Sequence, residues 1–170
     1  MLITRMTPDQ CRQLLSRASV GRLGCSHNDQ PYVLPVYLAS DGDFIYVFST
    51  YGKKIEWMRA NPKVCLQMDE ATGPADWSSV IVNGYYQELP EPQFPEERAH
   101  ARQLLEKRHR WWLNALAERR IQVTDQSIEP LFFRIRVESS SGLRAVSEDE
   151  SDRGKNKDGK NKNKDAAPAA

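Results

Sequence analysis

The chain has 170 residues, with 24 lysines and arginines against 23 aspartates and glutamates, so its formal net charge is +1. This balance gives no support for a nucleic-acid or membrane-surface partner, and no apolar run is long enough to span a bilayer. The N-terminal sequence MLITRMTPDQ contains no hydrophobic core of a secretion signal, so we expect a cytoplasmic protein. Cys11, Cys25 and Cys65 show neither metal-ligand spacing nor a disulfide framework, and the apolar runs around Cys25 and Cys65 predict buried thiols.

The first part of the chain predicts a short helix followed by three strands. Thr7-Pro8 is a helix-start signal, and apolar residues follow at helical spacing, which predicts a helix from Pro8 to Arg17. Apolar runs rich in β-formers and separated by turn residues predict strands at Val20–Ser26, Pro31–Ala39 and Phe44–Ser49. Pro35 cannot donate a hydrogen bond to a sheet ladder, so we expect it at an edge, at a bulge or beside a ligand.

The second part predicts three more strands and two more helices. The elements in order are a helix at Lys53–Arg59, a strand at Val64–Met68, a loop at Glu70–Asp76, a strand at Trp77–Glu88, a long helix at Glu96–Arg120 and a strand at Leu131–Val137. Gly84 is expected to form a bulge or bend in its strand. Six short strands joined by turns predict a mainly β fold, a small antiparallel barrel formed by residues 1–146. Residues 147–170 are charged and too poor in apolar side chains to pack, which predicts a disordered tail.

The segment from Ser49 to Lys54 combines features suited to an anion. Two hydroxyl residues end a strand, Gly52 lets the backbone come close to a ligand, and Lys53 and Lys54 open a helix whose first N–H groups have no partner within the helix. The segment is neither a Walker loop nor a dinucleotide fingerprint. It predicts the phosphate end of a nucleotide-type cofactor site, with an ordinary strand-to-helix connection as the alternative.

Few other residues in the sequence suggest a catalytic or ligand-binding role. The strand start Trp77, Ser78, Ser79, Val80 offers a stacking surface next to hydroxyl groups, although a buried Trp with solvated serines explains it equally well. His100 and His109 are nine positions apart on the long helix, which does not fit a ligand pair, so we expect no metal site. Trp111 and Trp112 are expected in the core or in a subunit interface.

The order of these segments resembles that of a known family. VGRLGCSHNDQPYVLPVYL is followed by FIYVFST, GKKIEWMRANPKVCLQMDE and WSSVIVNGYYQEL. This arrangement resembles the pyridoxamine 5′-phosphate oxidase-like FMN-binding split barrels, and within them the Nim-like flavin-nucleotide-binding branch.

The resemblance implies a six-stranded antiparallel split barrel that forms a homodimer with FMN in a cleft shared by both chains. It further implies that Ser49 and Thr50 bind the FMN phosphate, with Lys53 or Lys54 as counter-charge. The residues expected along the rest of the cofactor are the backbone of Pro35, Val36 and Tyr37, and the strand start Trp77, Ser78, Ser79 and Val80. The expected activity is that of an oxidoreductase that transfers hydride or electrons through FMN, with substrate and electron donor unassigned.

One position departs from the Nim-like pattern. Nim proteins carry a histidine where this chain has Phe48, so we do not expect nitroimidazole reduction, and Phe48 is expected to give the flavin ring an apolar wall. The absence of that histidine leaves a non-catalytic flavin-binding or sensing protein as an alternative. Haem-binding and deazaflavin-binding relatives on the same barrel are the remaining alternatives.

Overall fold

The computed structural model describes residues 1–108 and 131–146. In chain order these residues form β1 (Leu2–Arg5), α1 (Pro8–Arg17), β2 (Val20–His27), β3 (Gln30–Asp41), β4 (Phe44–Ser49), α2 (Lys53–Ala60), β5 (Lys63–Gly73), β6 (Asp76–Glu88), α3 (Pro95–Arg108) and β7 (Leu131–Val146). The predicted long helix continues to Arg120, but its part from residue 109 onward, with His109, Trp111 and Trp112, lies outside the described residues, as does the tail from 147 to 170.

The strands form a barrel. The sheet order is β1-β7-β4-β3-β2-β5-β6, every pairing is antiparallel, and an additional pairing of β6 with β7 closes the ring. The closed ring therefore consists of β2 to β7, which agrees with the predicted six-stranded barrel. β1 is an added strand that pairs with the last residues of β7, from Leu143 to Val146.

The ring is split between β3 and β4. These two strands pair only from Leu38–Val47 to Asp41–Phe44, whereas the earlier part of β3, from Gln30 to Tyr37, pairs with β2 alone among the described strands. Pro35 lies in that earlier part, where one edge of β3 is open and a missing N–H donor costs little. Its expected place at an edge is therefore confirmed.

Two apolar clusters flank the barrel wall. The larger cluster fills the barrel interior and includes inward side chains of every ring strand together with Ile55 and Met58 of α2 and Leu14 of α1. The smaller cluster lies between α3 and the outer faces of β3, β4 and β7, where Ala101 and Leu105 pack on Tyr46 and Phe132. Because side chains alternate along a strand, each ring strand has one face in the interior and one face outside.

α1 begins where the local sequence predicts a helix start. The side chain of Thr7 accepts a hydrogen bond from the Gln10 N–H at 3.3 Å, and the Gln10 side chain accepts one from the Thr7 N–H at 2.8 Å. This reciprocal capping box satisfies two N–H groups at the helix start and fixes α1 at Pro8–Arg17, as predicted.

The main differences from the sequence predictions are an added strand, two longer strands and one exposed cysteine. β1 was not predicted, β7 extends past Val137 to Val146, and residues Glu70 to Gly73 belong to β5 instead of a loop because they pair with the start of β6. Cys65 is exposed, and its predicted burial is wrong. On β5 the side chains of Val64 and Leu66 face the interior, so Cys65 between them faces outward. The irregularity expected at Gly84 is present as a register shift between Asn83 and Gly84.

Across the described ranges, none of the helices is both long enough and apolar enough to cross a membrane.

Candidate functional site

Most of the predicted site residues meet at the split. The β3–β4 ladder ends at the Leu38–Val47 pair, so Tyr37 and Phe48 flank the point where the two strands diverge. Pro35 and Tyr37 are exposed on the outer face of β3, while the Val36 side chain is buried in the barrel core. A ligand in this gap would therefore meet the backbone of Val36 and the side chains on either side of it.

The loop from Ser49 to Gly52 forms one side of the split. Ser49 is buried and its hydroxyl donates to the carbonyl oxygen of its neighbour Thr50 at 3.0 Å. Gly52 has φ 155° and ψ −174°, a combination that is essentially restricted to glycine. Apart from its own residue and the two chain neighbours, a Cβ atom placed on Gly52 would have no atom within 4 Å, so the space next to this backbone is open.

Gly52 is also the N-cap residue of α2. Its carbonyl accepts hydrogen bonds from the N–H groups of Ile55 at 2.8 Å and Glu56 at 3.2 Å, and no side chain caps the helix start. An uncapped helix start presents N–H groups and the positive end of the helix dipole, which suits a negatively charged ligand.

The two lysines occupy different environments. Lys54 is half-buried and its ammonium donates to the carbonyl oxygen of Thr50 at 3.4 Å, so it lies beside the loop. Lys53 is exposed, and its ammonium lies over two rings, 4.8 Å from the centroid of Tyr32 and 4.4 Å from that of Trp57. The sequence predicted either lysine as the counter-charge; in this structure Lys54 is the one already directed at the loop.

Tyr32 and Trp57 were not predicted as site residues. Their ring centroids are 5.6 Å apart in an edge-to-face arrangement, and His27 contacts Trp57 at 5.9 Å. Tyr32 belongs to a strand and Trp57 to a helix, and each residue by itself fits the apolar pattern of its own element. Their meeting with Lys53 depends on how α2 packs on β2 and β3, which spacing along the chain does not reveal.

Phe48 lies on the outer face of the barrel together with Tyr37. It is half-buried and packs against Phe132 at a centroid distance of 5.3 Å. One side of its ring therefore joins the cluster under α3, and its predicted contact with a flavin stays a prediction.

The predicted strand start at Trp77 lies elsewhere. Trp77 pairs with Ala145 at one end of β6, whereas Glu88 at the other end pairs with Phe133, close to the Ser49–Leu131 pair. Trp77 to Val80 are therefore separated from the Ser49–Lys54 loop by most of the length of a strand. Val80 is fully buried, so only Trp77, Ser78 and Ser79 are accessible there.

Trp77 and Ser79 line a cavity of about 630 Å³. Its walls come from β1, β6 and β7, with Ile81 and Leu143 as exposed apolar side chains and Arg5 as a charged one. In one chain the residues predicted for the site thus lie in two separate places, one at the split and one at this cavity.

A polar network fastens the end of α2 to β6. The Arg59 guanidinium contacts both carboxylate oxygens of Glu88, and the hydroxyl of Tyr86 donates to the same carboxylate at 2.6 Å. The hydrogen bond from Arg59 lowers the pKa of Glu88 below its ordinary value of 4.5. Burial, and then the negative Glu88, raise the pKa of Tyr86. This network holds the helix that begins at the candidate phosphate loop.

In residues 1–108 and 131–146, no three His, Cys, Asp or Glu side chains come together in a way that could hold a metal ion. His100 contacts the Asp41 carboxylate at 2.8 Å and His27 contacts Trp57.

Comparison with known proteins identifies the family. Residues 7–144 match the family model described as pyridoxamine 5′-phosphate oxidase. An uncharacterized protein of Rhizobium meliloti is 44% identical over 113 residues, which cover 66% of this chain and 75% of that protein. The structure of a FAD-binding protein from Mesorhizobium loti is 40% identical, with a TM-score of 0.72, and the match covers 86% of this chain and all (100%) of that chain.

More distant structures share the fold. A candidate 5-nitroimidazole antibiotic resistance protein from Bacteroides thetaiotaomicron is 17% identical with a TM-score of 0.60 and covers 85% of this chain and 89% of its own. The FAD-binding protein from Mycobacterium smegmatis is 16% identical with a TM-score of 0.60, over 85% of this chain and 98% of its own. These likenesses confirm the split-barrel fold, and the family match confirms the resemblance read from the sequence. The chain belongs to the pyridoxamine 5′-phosphate oxidase family.

Proposed function

We propose that this protein binds a flavin through its FMN portion and uses it as the cofactor of an oxidoreductase. The observation behind the proposal is the loop before α2. There a glycine-only backbone at Gly52 opens onto free space, an uncapped helix starts, and Lys54 lies beside Thr50. The Mesorhizobium loti relative is named a FAD-binding protein, and FAD contains the FMN portion, which supports the same reading.

The phosphate would be held by the hydroxyl of Thr50, the N–H groups that begin α2 and the ammonium of Lys54. Ser49 is directed at the Thr50 carbonyl and is buried, so its contribution is to orient that peptide as well as to offer its hydroxyl oxygen. Hydrogen bonds between an ammonium and a phosphate are charge-assisted and about twice as strong as neutral ones.

The flavin ring would lie in the gap between β3 and β4. The backbone of Pro35, Val36 and Tyr37 lies along one side of the gap, and Phe48 gives an apolar wall on the other. The bound flavin supplies the hydride or electron transfer, and the chain binds the flavin, orients it and excludes solvent from it. The donor and acceptor are small molecules that visit this gap.

We further propose that the site is completed by a second copy of the chain. Trp77, Ser78 and Ser79 are half-buried and lie far from the loop of their own chain, so they can contact the same flavin only from a partner. Exposed apolar side chains on the outer face of the sheet, which such a homodimer would cover, are Val20, Val33, Tyr37, Ile81 and Leu143. Sedimentation should then show a dimer, and a monomer with full flavin affinity would refute this part.

A double substitution tests the phosphate assignment. Replacing Lys53 and Lys54 with Ala removes the charge-assisted bond from Lys54, worth about 1.5–3 kcal/mol, together with a second positive charge at the start of α2, so FMN affinity should fall by about tenfold to a hundredfold or more. Riboflavin, which lacks the phosphate, should lose much less. The matched control replaces Lys63 and Lys107, two exposed lysines outside the loop, and should change neither affinity. An equal loss for FMN and riboflavin would refute the assignment.

Turnover is tested separately. The loaded protein should oxidise reduced nicotinamide when an electron acceptor is present. Firm flavin binding without any turnover would favour the sensing alternative, for which Phe48 in the place of the Nim histidine is the motivating residue.

A further inference from the structure

Beside the phosphate loop lies an aromatic corner formed by Tyr32, Trp57 and His27. The ring centroids of Tyr32 and Trp57 are 5.6 Å apart, and those of His27 and Trp57 are 5.9 Å apart. FMN binding as proposed above has no use for this corner, because the ring lies along Pro35 to Tyr37 and the phosphate lies at the loop.

The corner has one packed side and one open side. Tyr32 and Trp57 are both half-buried and pack against the barrel core. On the other side the only group placed over both rings by the described contacts is the ammonium of Lys53, a side chain that is itself exposed. A single exposed lysine is a weak and displaceable cover. The two ring surfaces are therefore accessible to a flat ligand once the lysine moves.

The corner is also close to the phosphate loop. Lys53 is the first residue of α2, so its backbone belongs to the proposed phosphate site while its ammonium reaches the corner. The distance between the two is spanned by one lysine side chain. A group attached to the flavin phosphate through a short linkage can therefore reach the rings.

We propose that the corner binds the adenine of FAD, and that Lys53 leaves the rings on binding and pairs with the diphosphate. This inference rests on the proposed flavin site and identifies which flavin it takes. Aromatic side chains stack with any nucleobase, including adenine. A lysine ammonium neutralises the second phosphate, which FAD has and FMN lacks. The adenylate (AMP) half of FAD thus matches both features, with its adenine on the aromatic surface and its phosphate at the additional cation.

The first measurement compares the affinity of the flavin-free full-length protein for FAD and for FMN. Stacking of one base predicts that FAD binds about tenfold to a hundredfold more tightly than FMN. Equal affinities would overturn the adenine subsite and leave the flavin site standing. Binding of neither flavin would instead overturn the proposed function.

Variants of the corner locate the effect. Tyr32→Leu and Trp57→Leu should each reduce FAD affinity toward that of FMN while FMN affinity stays within about threefold, and Tyr32→Phe should keep the preference for FAD because it keeps the ring. Tyr85→Leu, which removes a half-buried aromatic side chain elsewhere on the barrel, is the control and should change neither flavin affinity.

If both Leu variants retain the full preference for FAD, the adenine binds elsewhere and the proposal is wrong. Equal losses for both flavins would show that the corner is only structural. If a Leu variant fails to fold, the affinity ratio of the unmodified protein still decides.

Discussion

Gly52→Ala is the substitution that tests the geometry of the phosphate loop most sharply. The residue has φ 155° and ψ −174°, where an L-residue is strained, and strain of this kind costs about 1–3 kcal/mol. Apart from Gly52 and its two chain neighbours, no atom lies within 4 Å of the added methyl group, so a clash with the rest of the fold cannot contribute to the effect. The whole effect should therefore come from the backbone.

The strain has two ways to appear. If the loop keeps its conformation, the free energy of unfolding should fall by about 1–3 kcal/mol. If the loop relaxes instead, the first turn of α2 is displaced. Flavin affinity should then fall by the same free energy, which corresponds to about fivefold to 150-fold. Urea unfolding and flavin titration of the same preparation measure both quantities. Gly73→Ala is the control, because Gly73 also has open space around it but is not among the glycines with positive φ. A Gly52→Ala protein that matches the original in both stability and affinity would refute the reasoning.

Two further predictions concern the barrel. Gly84→Ala would bring a Cβ into the carbonyl oxygen of Arg136 and to 2.8 Å from Cγ2 of Ile135, so it should lower the free energy of unfolding by about 1–3 kcal/mol or more; a change below about 0.5 kcal/mol would contradict the close β6–β7 contact. Glu88→Gln should destabilise by about 1 kcal/mol at neutral pH because it removes the charge that Arg59 contacts. Because the folded-state pKa of Glu88 is lowered, the stability difference between Glu88→Gln and the original protein should be complete above pH 4.5 and disappear as the pH falls through the folded pKa. A stability difference that is constant with pH would refute the ion pair.

Local signals predicted the elements whose cause is local. The capping box of Thr7 and Gln10 sets α1, and the apolar run from Phe44 to Ser49 has the bounds of β4. The missed pieces depend on distant partners. β1 is short and is held by Leu143 to Val146, and the polar end of β7 is a strand because it pairs with β6. Such pairings are invisible in the composition of either segment alone.

The same distinction applies to the site. The hydroxyls, Gly52 and the lysines all lie between Ser49 and Lys54, so their closeness could be predicted, as could the open edge at Pro35. The sequence treated Lys53 and Lys54 as equivalent, and only the packing of α2 separates them, with Lys53 over Tyr32 and Trp57 and Lys54 beside Thr50. The strand start at Trp77 was expected in the same cleft, but one chain places it near the opposite end of β6.

The most direct test of the account is the absorption spectrum of the purified full-length protein after separate incubation with FMN and with FAD and removal of excess flavin. The predicted result is that flavin absorption bands remain with the protein, at a fixed molar ratio of flavin to protein chain. A protein that retains no flavin, and whose tryptophan fluorescence is unchanged when either flavin is titrated, would contradict the central claim that this barrel is a flavin site.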